Sequence, residues 1–190
     1  RSTTPATTPP EVSNATAPKV LPGEGRGPLP SAVATPIIEL KDGDRYTLRA
    51  EIVTKTLAGT PLRLYAYNGS IPGPLLKVRQ GATITIEFEN AIDQDTTVHW
   101  HGLRVDARQD GTPGISQAPV PPGGKHRYTL RFPDDGMYWY HPHVREDFQQ
   151  DAGLYGNLWV LPRDPKAYAP VDREVALIVD DILIENGQQT

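Results

Sequence analysis

The 190-residue chain carries 23 acidic against 19 basic side chains, a formal net charge of −4, and 37% hydrophobic residues, enough for one domain of ordinary size with a real core. Its charges are interspersed, without a basic stripe or a Lys/Arg cluster, which argues against nucleic acid or an anionic membrane surface as partner. No apolar run approaches the ~20 residues of a bilayer-spanning helix, and the absence of cysteine removes disulfides and thiolate ligands from every reading below.

In chain order, residues 1–36 come first, dense in Thr, Pro, Ala and Gly with few large apolar side chains. Such a composition buries too little surface to offset ordering entropy, so a flexible segment, disordered or extended, is expected. Asn14-Ala15-Thr16 matches a glycosylation acceptor, but the composition as a whole favours a spacer over a glycosylated stalk.

From Ile37 the period becomes two. Tyr46, Leu48, Ala50 and Ile52 share one face while Arg45, Thr47, Arg49 and Glu51 share the other; Ile84, Ile86 and Phe88 repeat the pattern, as does "HRYTLRF". Gly, Pro and Asp clusters at "NGSIPGP", "ENAIDQD", "RQDGTPG", "PVPPGGK" and "PDDG" separate the runs. Many short strands with turn punctuation and no helix beyond a turn or two at "VREDFQQDAG" predict an all-β sandwich or barrel. That domain is expected over 37–163, with a linker at 164–173. "EVALIVDDILIENG" then opens a fresh strand pattern within 174–190, too short to build a second sheet by itself.

Four of the five histidines fall in two His-x-His pairs, His99/His101 in "VHWHG" and His141/His143 in "YWYHPH". On a strand, residues i and i+2 project from the same face roughly 6 to 7 Å apart. His99 and His101 therefore point together, with Trp100 turned away. The same geometry is expected for His141 and His143, with Pro142 tolerated because it stands at a strand edge or end. Two pairs on two segments predict a metal site with imidazole nitrogens alone, which suits zinc or copper.

"VHWHG", "RQDGTPGISQAPVPPGGKHRYTLRF", "GMYWYHPH" with "GLYGNLWV", and "YNGSIPGPLLKVRQGATITIEFEN" together resemble the first, N-terminal cupredoxin domain of multicopper oxidases of the laccase-like group. The likeness covers about Ile37 to Pro162. It implies an all-β, Greek-key β-sandwich of cupredoxin type, with copper as cofactor. By the resemblance, His99 binds a type 2 copper, His101 and His141 one copper of a type 3 pair and His143 the other, so that these four metal ligands form half of a trinuclear cluster reducing dioxygen to water. Asp110 would stand as the catalytic acid that helps deliver protons. Read without the family, Asp110 is the Asp of an Asp-Gly turn.

The family's remaining histidines and the cysteine of its type 1 copper lie in motifs that this sequence does not contain. The resemblance therefore implies a complementary C-terminal polypeptide of the same enzyme, with 174–190 as the truncated start of a second cupredoxin domain. It further implies dioxygen and a small reducing substrate (phenol, aromatic amine or metal ion) as partners, and an extracytoplasmic location, secreted or periplasmic. The competing reading is a stand-alone copper-binding or carrier module without oxidase activity.

The remaining candidates have plainer readings. His126, in phase with Tyr128, Leu130 and Phe132, is expected to be structural. Glu146, Asp147 and Asp151 read as a solvated loop face, Trp100, Trp139 and Trp159 as core filling, and Asn68-Gly69-Ser70 as part of a turn.

Overall fold

The computed structural model describes residues 21–185 and 188–189. Nine strands form two sheets: β1 (Ile37–Leu40), β2 (Arg45–Leu57), β3 (Thr60–Tyr67), β4 (Gly73–Arg79), β5 (Thr83–Asn90), β6 (His99–His101), β7 (Lys125–Arg131), β8 (Gly136–His141) and β9 (Gly156–Leu161). One sheet has the order β1-β4-β9-β8-β6 and the other β3-β2-β5-β7. Parallel pairing of β2 with β5 and of β4 with β1 and β9 mixes with antiparallel neighbours, as connections that cross between two sheets require. This is the expected cupredoxin-like β-sandwich.

The period-two pattern accounts for the core. In β2 the side chains of Leu48, Ala50 and Ile52 are buried while Arg45, Thr47 and Arg49 face solvent. Ile84, Ile86 and Phe88 of β5 and Tyr128 and Leu130 of β7 meet Leu76, Val78, Trp100, Tyr140, Leu158 and Val160 of the facing sheet in one cluster. On the outer face, Glu87 pairs with Arg45 and Arg127, and Glu89 with Arg49 and Lys125. His126 is half-buried, opposite Phe88 in the ladder, with its ring 4.6 Å from that of Tyr128, a packing position.

The acceptor pattern at Asn14 lies outside the described residues. From Leu21 the N-terminal segment lies along the sandwich. Gly23 N donates to Asp93 Oδ2 at 2.7 Å, and Ala32 and Val33 bond to the backbone of Thr54 and Gly69. Asn68 and Gly69 take positive φ in the turn after β3. The Asn68 amide nitrogen donates to Thr47 O and Tyr46 Oη, and Ser70 is fully buried, so this Asn-x-Ser serves the turn.

A single-turn helix, α1 (Glu146–Gln149), and a small pair, β10 (Ile184–Glu185) with β11 (Gln188–Gln189), complete the described elements. The expected strand over 174–184 acquires no ladder partner before Ile184. Its sequence has the alternation, but no sheet edge among the described residues receives it. Leu177 O accepts a 3.5 Å bond from Asn157, and Val175, Leu177 and Val179 remain exposed.

Alternation sets a contrast between neighbours on β5. Ile86→Ala is expected to cost about 2–5 kcal/mol by leaving a cavity, whereas Glu87→Ala, which removes only exposed ion pairs, should cost less than about 1 kcal/mol. Urea midpoints of the two variants check this.

Candidate metal centre

β6 is the edge of the five-stranded sheet and pairs antiparallel with β8. The register sets His99 opposite His141, Trp100 opposite Tyr140 and His101 opposite Trp139. Trp100 and Tyr140 point inward and are fully buried, their rings 5.8 Å apart. Alternation then forces His99, His101, Trp139 and His141 onto the outer face together. His143 is not on the strand. Pro142 lacks the N–H that would extend the ladder, β8 stops at His141, and His143 lies in the bend that follows, its own N–H donated to Thr97 Oγ1 at 3.2 Å.

All four imidazoles nevertheless gather. Ring centroids lie 5.3 Å apart for His99 and His141, 4.4 Å for His99 and His143, and 5.4 Å for His101 and His141. One ligand atom each from His99, His101 and His141 falls within 4.8 Å of the others.

Three of the rings have Nδ1 engaged elsewhere. His99 Nδ1 lies 2.8 Å from Asp110 O, His141 Nδ1 2.8 Å from Pro142 O, and His143 Nδ1 against Glu146 Oε1. The two carbonyls can only accept, so in His99 and His141 Nδ1 is the protonated nitrogen and Nε2 keeps the lone pair that a metal needs. His101 is the exception: its Nδ1 faces His141 Nε2 at 3.2 Å, so a single proton or cation can be shared between those two nitrogens. Burial pushes the His141 imidazole down to about 4, with the neighbouring histidines adding to the shift and the Pro142 carbonyl opposing it; His99 is lowered by burial too. At neutral pH His141 is therefore an uncharged donor. Nitrogen donors, fixed tautomers and one exposed flank at His101 fit a borderline-soft transition metal, copper or zinc.

Asp110 is brought to the same place. It caps a 3₁₀ turn over Ala107–Gln109, its Oδ2 accepts from Thr112 Oγ1 at 2.6 Å, and the same oxygen lies 3.5 Å from His99 Nδ1. Gly111 makes this approach possible. Its φ is +78°, and a Cβ there would sit 1.9 Å from Val98 O, so only glycine lets the loop lie on β6.

Two neighbours escape the sequence reading. Trp139 is not core: half-buried, it stacks on His141 at 4.1 Å and 23°. Its position two residues before His141 was the available signal. Glu146, expected on a solvated face, touches His143 three residues earlier, while Asp147 is forked to Arg145. Trp159 carries Lys77 over its ring at 4.9 Å.

The family model described as multicopper oxidase matches residues 49–165. The chain belongs to the multicopper oxidase family. It is 33% identical over 158 residues to copper resistance protein A of Pseudomonas syringae pv. tomato, covering 83% of this chain and 26% of that protein. It is 38% identical over 138 residues to the multicopper oxidase MmcO of Mycobacterium tuberculosis, covering 68% and 26%. Among solved structures, a multi-copper oxidase from Pseudomonas thermotolerans matches with a TM-score of 0.62 and 38% identity over 71% of this chain and 31% of that one. A blue copper oxidase from Nitrosomonas europaea matches with a TM-score of 0.63 and 30% identity over 65% and 40%. The chain thus spans about a quarter of the length of these curated relatives. What it carries is the N-terminal cupredoxin domain of a multicopper oxidase, and the family decides between zinc and copper in favour of copper. No helix among the described residues is long and apolar enough to cross a membrane.

The depressed His141 makes a pH-dependent stability in the metal-free chain. Its folded value of about 4 lies below the ordinary 6.5, so between the two the unfolded chain binds the proton that the folded chain refuses. The contribution is complete above about pH 6.5 and lost as pH falls toward about 4, by up to about 3 kcal/mol. Urea midpoints across this range should show that slope, and His141→Gln should flatten it.

Proposed function

We propose that this domain forms one wall of a trinuclear copper centre at which dioxygen is reduced to water, in a laccase-like oxidase that draws its electrons from phenols, aromatic amines or metal ions. The observation that carries the reading is the convergence of four imidazoles from two segments on one sheet edge, three of them with Nδ1 committed elsewhere. In this reading His99 serves a type 2 copper, His101 and His141 one copper of a type 3 pair, and His143 the other. Bound copper supplies the one-electron redox chemistry by which four electrons and four protons convert one dioxygen to two waters.

The chain's own groups have two tasks. The histidines hold the metals through nitrogens whose tautomers are set before any metal arrives, which lowers the reorganisation needed on binding. Asp110, held by Thr112 and 3.5 Å from His99, is the group proposed to pass protons into the site.

Four histidines make half of such a ligand set, and the electron-entry copper needs a cysteine that the sequence lacks. The reading therefore includes a complementary C-terminal polypeptide that brings the other ligands. The alternating apolar residues Val175, Leu177 and Val179, exposed and without a ladder partner among the described residues, support this, since an open strand edge and apolar surface call for another sheet. An extracytoplasmic location belongs to the same proposal. A copper-carrier module is the competing reading, supported by the closeness of three ligand atoms within this chain alone.

In the assembled enzyme, His101→Ala and His143→Ala are each expected to lose copper and dioxygen reduction together while the sandwich stays folded. Copper analysis alongside oxygen-electrode assays tests this, and full copper with full turnover in both variants contradicts the assignment. A carrier would show no dioxygen reduction in the unsubstituted protein either. Asp110→Asn should keep its copper and lose about 100-fold or more in turnover, the scale of a general acid's contribution; an unchanged rate makes Asp110 a turn residue.

A further inference from the structure

Two residues after His143 the chain reverses sharply. Arg145 adopts φ +47° and ψ +53°, a left-handed conformation uncommon for residues other than glycine. The reversal starts α1 at Glu146 and folds that side chain back, so that Glu146 Oε1 lies against His143 Nδ1.

The turn that carries Glu146 is well anchored. Phe148 is buried with its ring edge-on to Tyr65 at 5.9 Å, and Gln149, fully buried, donates from Nε2 to Asp95 O at 2.8 Å. Arg145 directs its guanidinium to Asp147, at 3.0 and 3.1 Å, leaving the Glu146 carboxylate facing the imidazole. His99 and His141 have a backbone carbonyl as the nearest partner of Nδ1, with the Asp110 carboxylate farther off at 3.5 Å from His99; at His143 the nearest partner of Nδ1 is itself a carboxylate. A charge-assisted bond of this kind is roughly twice as strong as a neutral one, and a carboxylate behind a ligating histidine fixes its tautomer and raises its basicity.

We infer that Glu146 is a positioning residue for His143: it holds the ring as the Nδ1–H tautomer and strengthens Nε2 as a metal donor. The metal-donor half rests on the reading of His143 as a copper ligand; the tautomer half does not.

Long-range proton–nitrogen spectra of the metal-free 190-residue chain, taken where the imidazoles are neutral, decide the tautomer. The unsubstituted chain is expected to show His143 as Nδ1–H. Glu146→Ala should shift it toward the Nε2–H form, and Glu146→Gln, whose amide oxygen still accepts, should restore Nδ1–H. Unchanged His99 and His141 signals in both variants report an intact fold. A His143 that stays Nδ1–H in Glu146→Ala, or is Nε2–H in the unsubstituted chain, overturns the inference.

Competition of Cu(II) between the protein and a chelator reads the second half. Glu146→Ala should weaken copper binding about 10- to 100-fold, with Glu146→Gln between; equal affinities overturn the claim of a strengthened donor. If His143→Ala binds copper as tightly as the unsubstituted chain, His143 is not a ligand and the site reading fails, while the tautomer result stands.

Discussion

The site depends on the burial of Trp100 against Tyr140 between the two sheets. Those two side chains are opposite each other in the β6–β8 ladder and have nowhere to go but inward. A slip of one residue would turn both rings to solvent and the histidines into the core, a change costing several kcal/mol of apolar burial before any buried imidazole is counted. The apolar face thus fixes the polar one. His99 faces His141, and His101 faces Trp139, because the indole and the phenol ring occupy the other side.

Once the register is set, the remaining question is which nitrogen each ring presents. That is answered by acceptors beyond the rings: Asp110 O, Pro142 O and the Glu146 carboxylate. Each comes from a segment outside the strands, and two reach the site through backbone conformations that most residues avoid, at Gly111 and Arg145. The ladder provides spacing and the loops provide chemistry, in keeping with the usual division between rigid scaffold and variable connection. His101 is the exposed flank of the four-imidazole cluster.

The sandwich was legible from alternation because Leu48, Ile86 and Tyr128 lie on strands covered on one side only, where a period of two maps directly onto burial. The histidine pairs were legible for the same reason. His143 was misplaced on a strand, since a Pro between two histidines marks a strand end without saying where the chain goes next. Trp139 escaped because an aromatic beside a ligand reads as core until the register shows it on the outer face, stacked on His141. Glu146 escaped because its approach depends on one left-handed residue, which no local pattern announces. The run from Glu174 shows the converse: among the described residues, strand propensity without an edge to pair with produces no strand before Ile184.

The central claim is that the outer-face histidines hold copper, and diffraction recorded on both sides of the copper absorption edge from copper-loaded crystals tests it most directly. Anomalous peaks are expected among the nitrogens of His99, His101, His141 and His143. Peaks confined to other places, such as Met137 or surface carboxylates, or no copper peak at all, would contradict it.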